Sequence, residues 1–242
     1  VHIVLDNGLE YESDFQTMPE PLRLGDIKVD YIEEELIIDK FTSQKKRYHQ
    51  PAIEIKNTND QLYFNLNVAG YSEMFVKTSI ISCPIEDGAD FRFSCWKILE
   101  NIGNEIVIGT NENIESSSFF ATTNGIPVDS KGRFVGTIEI NSITADSYLF
   151  FQQIVDQLAQ TGTMFDPPFS PITGNIKPLN SSTPALGYFH TMSSLKETFC
   201  IVREDISLTT DLPFACYPDI LCIDIFDPAV EDLPQELIEC FN

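Results

Sequence analysis

Three histidines, six cysteines and 37 carboxylates carry the chemistry open to this 242-residue chain. His2, His49 and His190 stand in unrelated contexts. There is no H-E-x-x-H for zinc, no G-x-S-x-G nucleophile elbow and no G-x-x-x-x-G-K phosphate loop. A serine or cysteine nucleophile needs a base positioned beside it. The sequence offers only isolated candidates, so each histidine reads as a surface or edge residue. A glycosidase needs two carboxylates at a set separation. With 37 acids some pair always satisfies that, so the pattern carries no information. Asp219, Asp224 and Asp227 are hard oxygen donors of the kind Ca²⁺ takes. They lack the D-x-D-x-D-G loop, which favours solvated acids over a calcium site. No catalytic residue and no cofactor is assigned.

The cysteines are Cys83, Cys95, Cys200, Cys216, Cys222 and Cys240. Their number is even, with no C-x-x-C and no zinc spacing, which fits three disulfides in an oxidising compartment. Free buried thiols in a reducing compartment are the alternative. Cys83 and Cys95 flank one predicted turn and are the preferred pair. The other four are expected to pair within Cys200–Cys240.

Net charge is −22. Nucleic-acid phosphates demand lysine and arginine, so that class of partner is disfavoured, as is an anionic membrane surface. The charge fits an extracytoplasmic domain, a partner with a basic face, or divalent cations. Lys45-Lys46-Arg47 is the one basic cluster and reads as a solvated loop, with a contact for an acidic ligand as the alternative. Hydrophobic content of 43% with 18 phenylalanines indicates a packed globule.

The elements that must position these groups are mostly strands. Val1–Leu5 and Leu9–Ser13 flank Asn7-Gly8, the signature of a type I′ hairpin. Met18–Gly25, with Pro19 and Pro21, reads as a junction. Asp26–Ile38 alternates and then enters Glu33-Glu34-Glu35, a charged run that resists edge pairing. Leu62–Val68, Met74–Ser82, Asp90–Leu99, Glu105–Gly109, Phe134–Ile143, Thr198–Glu204 and Leu221–Phe226 read as strands, and Leu186–Phe189 as the start of one. Trp96, on the Asp90–Leu99 strand, reads as a core or sheet-face residue rather than a ligand platform. Asn111–Gly132 reads as a long loop or hairpin pair.

One helix stands out, over about 144–161. Tyr148, Phe151, Ile154, Val155 and Leu158 form a stripe at the helical period. Thr144 is its expected N-cap, Asp146 suits its dipole, and Gly162 is its expected stop. The stripe predicts a helix docked on a sheet with Phe151 and Leu158 buried. After it come Met164, Phe165, Asp166, Pro167, Pro168 and Phe169, then the turn Gly174-Asn175. Prolines lower the entropy lost on ordering a loop, and exposed Met and Phe act as interface anchors. These eight residues are the candidate partner contact. The alternative is that Phe165 and Phe169 cap the chain's own core. The fold expected is mainly β: antiparallel β-sandwich-type sheets, immunoglobulin- or fibronectin-like, with one docked helix.

The order S-Y-x-F-F, helix, G-x-M-F-D-P-P, G-N-I, P-x-L-G-Y-F over Ser147–Phe189 resembles a family of uncharacterised Bacteroidota lipoproteins, the domain of unknown function 4249. Asp6–Ser13 resembles its D-G-x-x-Y-x-S hairpin, Met18–Pro21 with Asp26 its P-x-P-x-I-D junction, and Cys95-Trp96 its C-W strand. The family's C-x-x-C pair and terminal Trp are absent here. The resemblance implies an upstream lipid anchor and β-sandwich, with 1–17 as that sandwich's closing hairpin and 18–242 as the main β-rich domain. It implies an outer-membrane, cell-surface lipoprotein without enzymatic activity. Its expected role is that of an accessory subunit of a SusC-like TonB-dependent transporter in nutrient capture or uptake. A surface hydrolase of glycans or peptides and an adhesin-like module are the alternatives.

Overall fold

The computed structural model describes residues 1–37, 43–58, 60–78, 91–100, 102, 106–130, 132–159, 172–203, 214–215, 228–230 and 232–241. Strand takes 49% of the chain and helix 12%, so the protein is mainly β, in three sheets of almost wholly antiparallel pairing.

The first sheet is small. β1 (His2–Val4) and β2 (Glu10–Ser13) form the expected hairpin, and β11 (Ile176–Pro178) pairs with β2. The turn differs from the expected type I′. Gly8 donates to the Leu5 carbonyl at 2.9 Å, and Gly8 alone of Asp6-Asn7-Gly8 has positive φ, +80°. That is the three-residue loop with glycine in the left-handed position. Asn180 clamps the hairpin to the β11 segment, accepting from Glu10 N–H and donating to the Gly8 carbonyl.

The second sheet contains β3 (Leu24–Ile37), β4 (Ser43–Lys56), β8 (Ser118–Thr122) and β9 (Ile126–Pro127). The third contains β5 (Tyr63–Thr78), β6 (Phe91–Leu99), β7 (Val107–Thr110), β10 (Phe134–Ser142), β12 (Ser193–Ile201), β13 (Phe214–Ala215) and β14 (Ala229–Val230). Ile53, Ile55, Ala121 and Ile126 from the second sheet meet Phe64, Val68, Phe134, Ile138 and Phe199 from the third in one apolar cluster. A second cluster lies around Trp96, Val135 and Leu233, with Tyr71, Leu237 and Phe241 against it, so Trp96 is a core residue.

Leu62–Val68 and Met74–Ser82 were expected as two strands, but β5 runs unbroken through Gly70. A Cβ at Gly70 would lie 2.4 Å from the Val135 carbonyl and 2.6 Å from the Phe134 ring. That glycine is required by close packing, not by a turn.

Glu33-Glu34-Glu35 and Lys45-Lys46-Arg47 are cross-strand partners: Glu33↔Arg47, Glu34↔Lys46, Glu35↔Lys45. The basic cluster therefore lies on a strand, not in a solvated loop. Glu33 binds Lys45 at 2.6 Å and Arg47 at 2.9 Å. β4 pairs with β8 and β9 only from Tyr48 onward, and the Arg47 carbonyl accepts from Val128 N–H at 3.0 Å, so among the described residues no other strand pairs with β4 at these charges. Along the core-facing positions the pairs run Ile27↔Ile53, Val29↔Pro51, Tyr31↔His49, Glu33↔Arg47. The face turns from apolar to ionic along that line.

α1 spans Ala145–Leu158, capped by the Thr144 hydroxyl accepting from Ser147 N–H at 3.2 Å. Its packing differs from expectation. Phe151 is only half-buried and Leu158 is 68% exposed. The helix rests by its first turn, with the Tyr148 ring 5.1 Å from Tyr63. Beyond that turn two of its rings meet loop rings: Phe150 stacks on Tyr188 at 4.7 Å, and Phe151 meets His190 at 5.3 Å. Gly162, the expected stop, lies outside the described residues, as does Leu221–Phe226. α2 (Gln235–Ile238) and a 3₁₀ turn at Glu239–Phe241 follow near the C-terminus.

Candidate functional site

Of the expected partner loop, Met164, Phe165, Asp166, Pro167, Pro168 and Phe169 lie outside the described residues. Gly174 and Asn175 are described, and they fasten the chain to itself. The Asn175 amide accepts from Phe189 N–H at 2.8 Å and donates to the Phe189 carbonyl at 2.7 Å. A Cβ at Gly174 would collide with the Gly187 carbonyl. Phe189 thus spends its backbone bonds on a side chain, and no strand starts at Leu186–Phe189. β12 begins later, at Ser193.

Cys200 is joined to Cys240. Cys95 is also disulfide-bonded. Cys83, Cys216 and Cys222 lie outside the described residues, as do Asp219, Asp224 and Asp227. Among the described residues no three His, Cys, Asp or Glu converge on a point that could hold a metal ion.

The histidines do not share a site. His2 is exposed beside Glu10. His190 is half-buried, and burial lowers its pKa. His49, expected at the surface, is 5% exposed under Tyr31, whose ring is 5.5 Å away. Burial, and then the charge of Arg203, lowers its pKa to about 4. Arg203 is fully buried; it donates to Ser72 Oγ at 3.1 Å and to the Pro127 carbonyl at 3.3 Å, and lies over the Phe134 ring. Nearby, Glu73 is held in a two-point pair by Arg133, at 2.9 and 3.1 Å, and Arg133 lies over Trp96 and Phe241. These charges bind elements together in the interior. Local sequence carries no signal for them, because each is an isolated polar letter within a strand or just beyond its end.

Two surface features remain. The first is apolar. Val4, Phe15, Met18, Leu149, Leu158 and Leu186 are exposed. They belong to the hairpin sheet, the 14–23 linker, α1 and the 172–192 segment. These parts adjoin one another: Lys177 pairs with Asp14 at 2.8 Å, Thr191 donates to the Thr17 carbonyl, and Tyr188 stacks on Phe150. The second is a cleft of about 630 Å³ where the linker crosses the ends of the two large sheets. Its walls are the 19–23 linker, Lys56 at the end of β4, Thr58 with residues 60–62, and Tyr63 and Ser142 at the ends of β5 and β10.

No curated protein and no solved structure matches the chain. The model of the domain of unknown function 4249 matches residues 1–198, from the hairpin through most of β12. The chain belongs to that family.

Proposed function

We propose that this chain is a non-enzymatic, lipid-anchored protein of the outer-membrane surface. It docks as an accessory subunit on a SusC-like TonB-dependent transporter and takes part in nutrient capture or uptake. One observation carries the reading: exposed large apolar side chains gather on the adjoining hairpin sheet, linker, α1 and 172–192 segment. Exposed apolar side chains gathered on adjoining elements are the kind of surface that marks a protein contact. The charge of −22 keeps the rest of the surface hydrated and favours a partner that meets this side through apolar contact. Phe15 and Leu186 are the anchors of choice, since both are almost wholly exposed.

The test is native purification of the outer-membrane complex with wild-type chain and with Phe15→Glu/Leu186→Glu. Neither side chain is part of the chain's own core, so stability should move by less than about 0.5 kcal/mol. Co-purification with the transporter should be lost. A double variant that folds normally and still brings down the transporter at the wild-type level would place the contact elsewhere.

A further inference from the structure

We infer that the cleft at the ends of the two large sheets is a binding site for a short zwitterionic peptide. Its volume, about 630 Å³, lies within the range of small-ligand sites. The lining includes buried Leu22 and Ile143 with half-buried Leu62, which gives an apolar surface for a ligand's body. Glu20, Arg23 and Asp60 line the same cleft as exposed charges.

Lys56 is already committed, paired with Glu54 at 2.5 Å. The other three are not: among the described residues Arg23, Glu20 and Asp60 form no side-chain ion pair, with one another or with any neighbour. Charges of opposite sign therefore face one cavity without pairing with each other. A ligand that satisfies both must bring its own opposite charges at separated ends. A peptide of two or three residues does so, because its carboxylate and ammonium are about 3.3–3.6 Å apart per residue of extended chain. The carboxylate would lie on Arg23, whose planar fork suits it. The ammonium would lie on Asp60 and Glu20. Tyr63, Ser142 and Gln61 also line the cleft and can serve the peptide groups. A neutral sugar would leave the three charges partly desolvated and unpaired. Arg23 and Lys56 oppose a bare divalent cation.

This inference goes beyond the assembly reading and does not depend on it, because binding is measured on the purified chain alone. Titration calorimetry would use trialanine, N-acetyl-trialanine, trialanine amide and maltotriose. Trialanine should bind saturably, and each capped form should bind about tenfold or more weakly, the size expected for losing one charged hydrogen-bonded contact. Arg23→Gln should weaken trialanine to a similar degree and make binding indifferent to the C-terminal amide. Glu20→Gln/Asp60→Asn should make it indifferent to N-acetylation. The capped peptides test the same contacts without altering the protein, so a variant that folds poorly does not spoil the experiment. No saturable binding of trialanine at millimolar concentration overturns the proposal. So does equal affinity for the capped forms, or preference for maltotriose.

Discussion

His49 shows how one buried side chain couples the fold to pH. Its pKa is about 4 in the folded chain and ordinarily 6.5. The unfolded chain therefore takes up the proton first as pH falls. The native state keeps its full margin above 6.5 and loses it progressively as pH drops from 6.5 toward 4. One pKa unit is 1.36 kcal/mol, so the loss from this group is about 3 kcal/mol by pH 4. His49→Phe keeps a ring beside Tyr31 and has nothing to protonate. Urea unfolding at pH 7.5 and pH 5 should show the variant losing less stability between the two than wild type. An unchanged pH dependence would mean that other groups govern acid sensitivity. Arg203 is the more severe case of the same physics. Burial lowers its pKa to about 10, with Asp129 offsetting part of that, so it stays charged at neutral pH. Its hydrogen bonds to Ser72 and the Pro127 carbonyl reduce the cost of burying that charge.

At the scale of elements, the β3–β4 ribbon is organised by the ladder at Glu33–Glu35 and Lys45–Arg47. Hydrogen bonds from Lys45 and then Arg47 hold the Glu33 carboxyl at about 2, so Glu33 stays ionised well into acid. Opposite charges directly across a strand pair stabilise it locally, and removing one side leaves like charges adjacent. The ladder lies beyond the segment of β4 that pairs with β8 and β9, so its loss should stay local. Glu33→Ala should speed amide exchange over Lys45–Arg47 while leaving the global Tm unchanged. The effect should shrink at molar salt, where exposed charges are screened over ~3 Å. A clear fall in Tm would instead show that the ladder supports the core.

For the whole molecule, the Cys200–Cys240 bond ties the C-terminal turn onto β12, beyond the residues matched by the family model. The two cysteines are 40 residues apart, and closing a loop of that size in the unfolded chain stabilises the fold by about 4 kcal/mol in the chain-entropy account. The turn also carries Phe241, 6.2 Å from Trp96 and beneath Arg133. Cys200→Ser/Cys240→Ser should lower stability by about that amount and red-shift Trp96 emission as water reaches the ring. A stability loss without a spectral change would show that the turn stays docked through Leu233, Leu237 and Phe241 alone.

Local spacing determined what local physics controls. The i, i+3, i+7 stripe and the Thr144 cap specify α1, and alternation specifies the first half of β5. The turn residues place the first hairpin, and the ordered motifs of Ser147–Phe189 identify the family. Long-range pairing decided the rest. Val68 and Met74 look like the ends of two strands until pairing with β10 and β6 carries β5 across Gly70, and the two charge runs look independent until register sets them opposite. His49 and Leu158 exchanged their expected burial because burial depends on what packs above a side chain. Strand register put Tyr31 over His49, while Leu158 at the far end of α1 stays exposed. The cleft belongs to the same class: the 20–23 linker, Asp60 and Ser142 are far apart in the chain and meet only where the ends of two sheets and a linker converge.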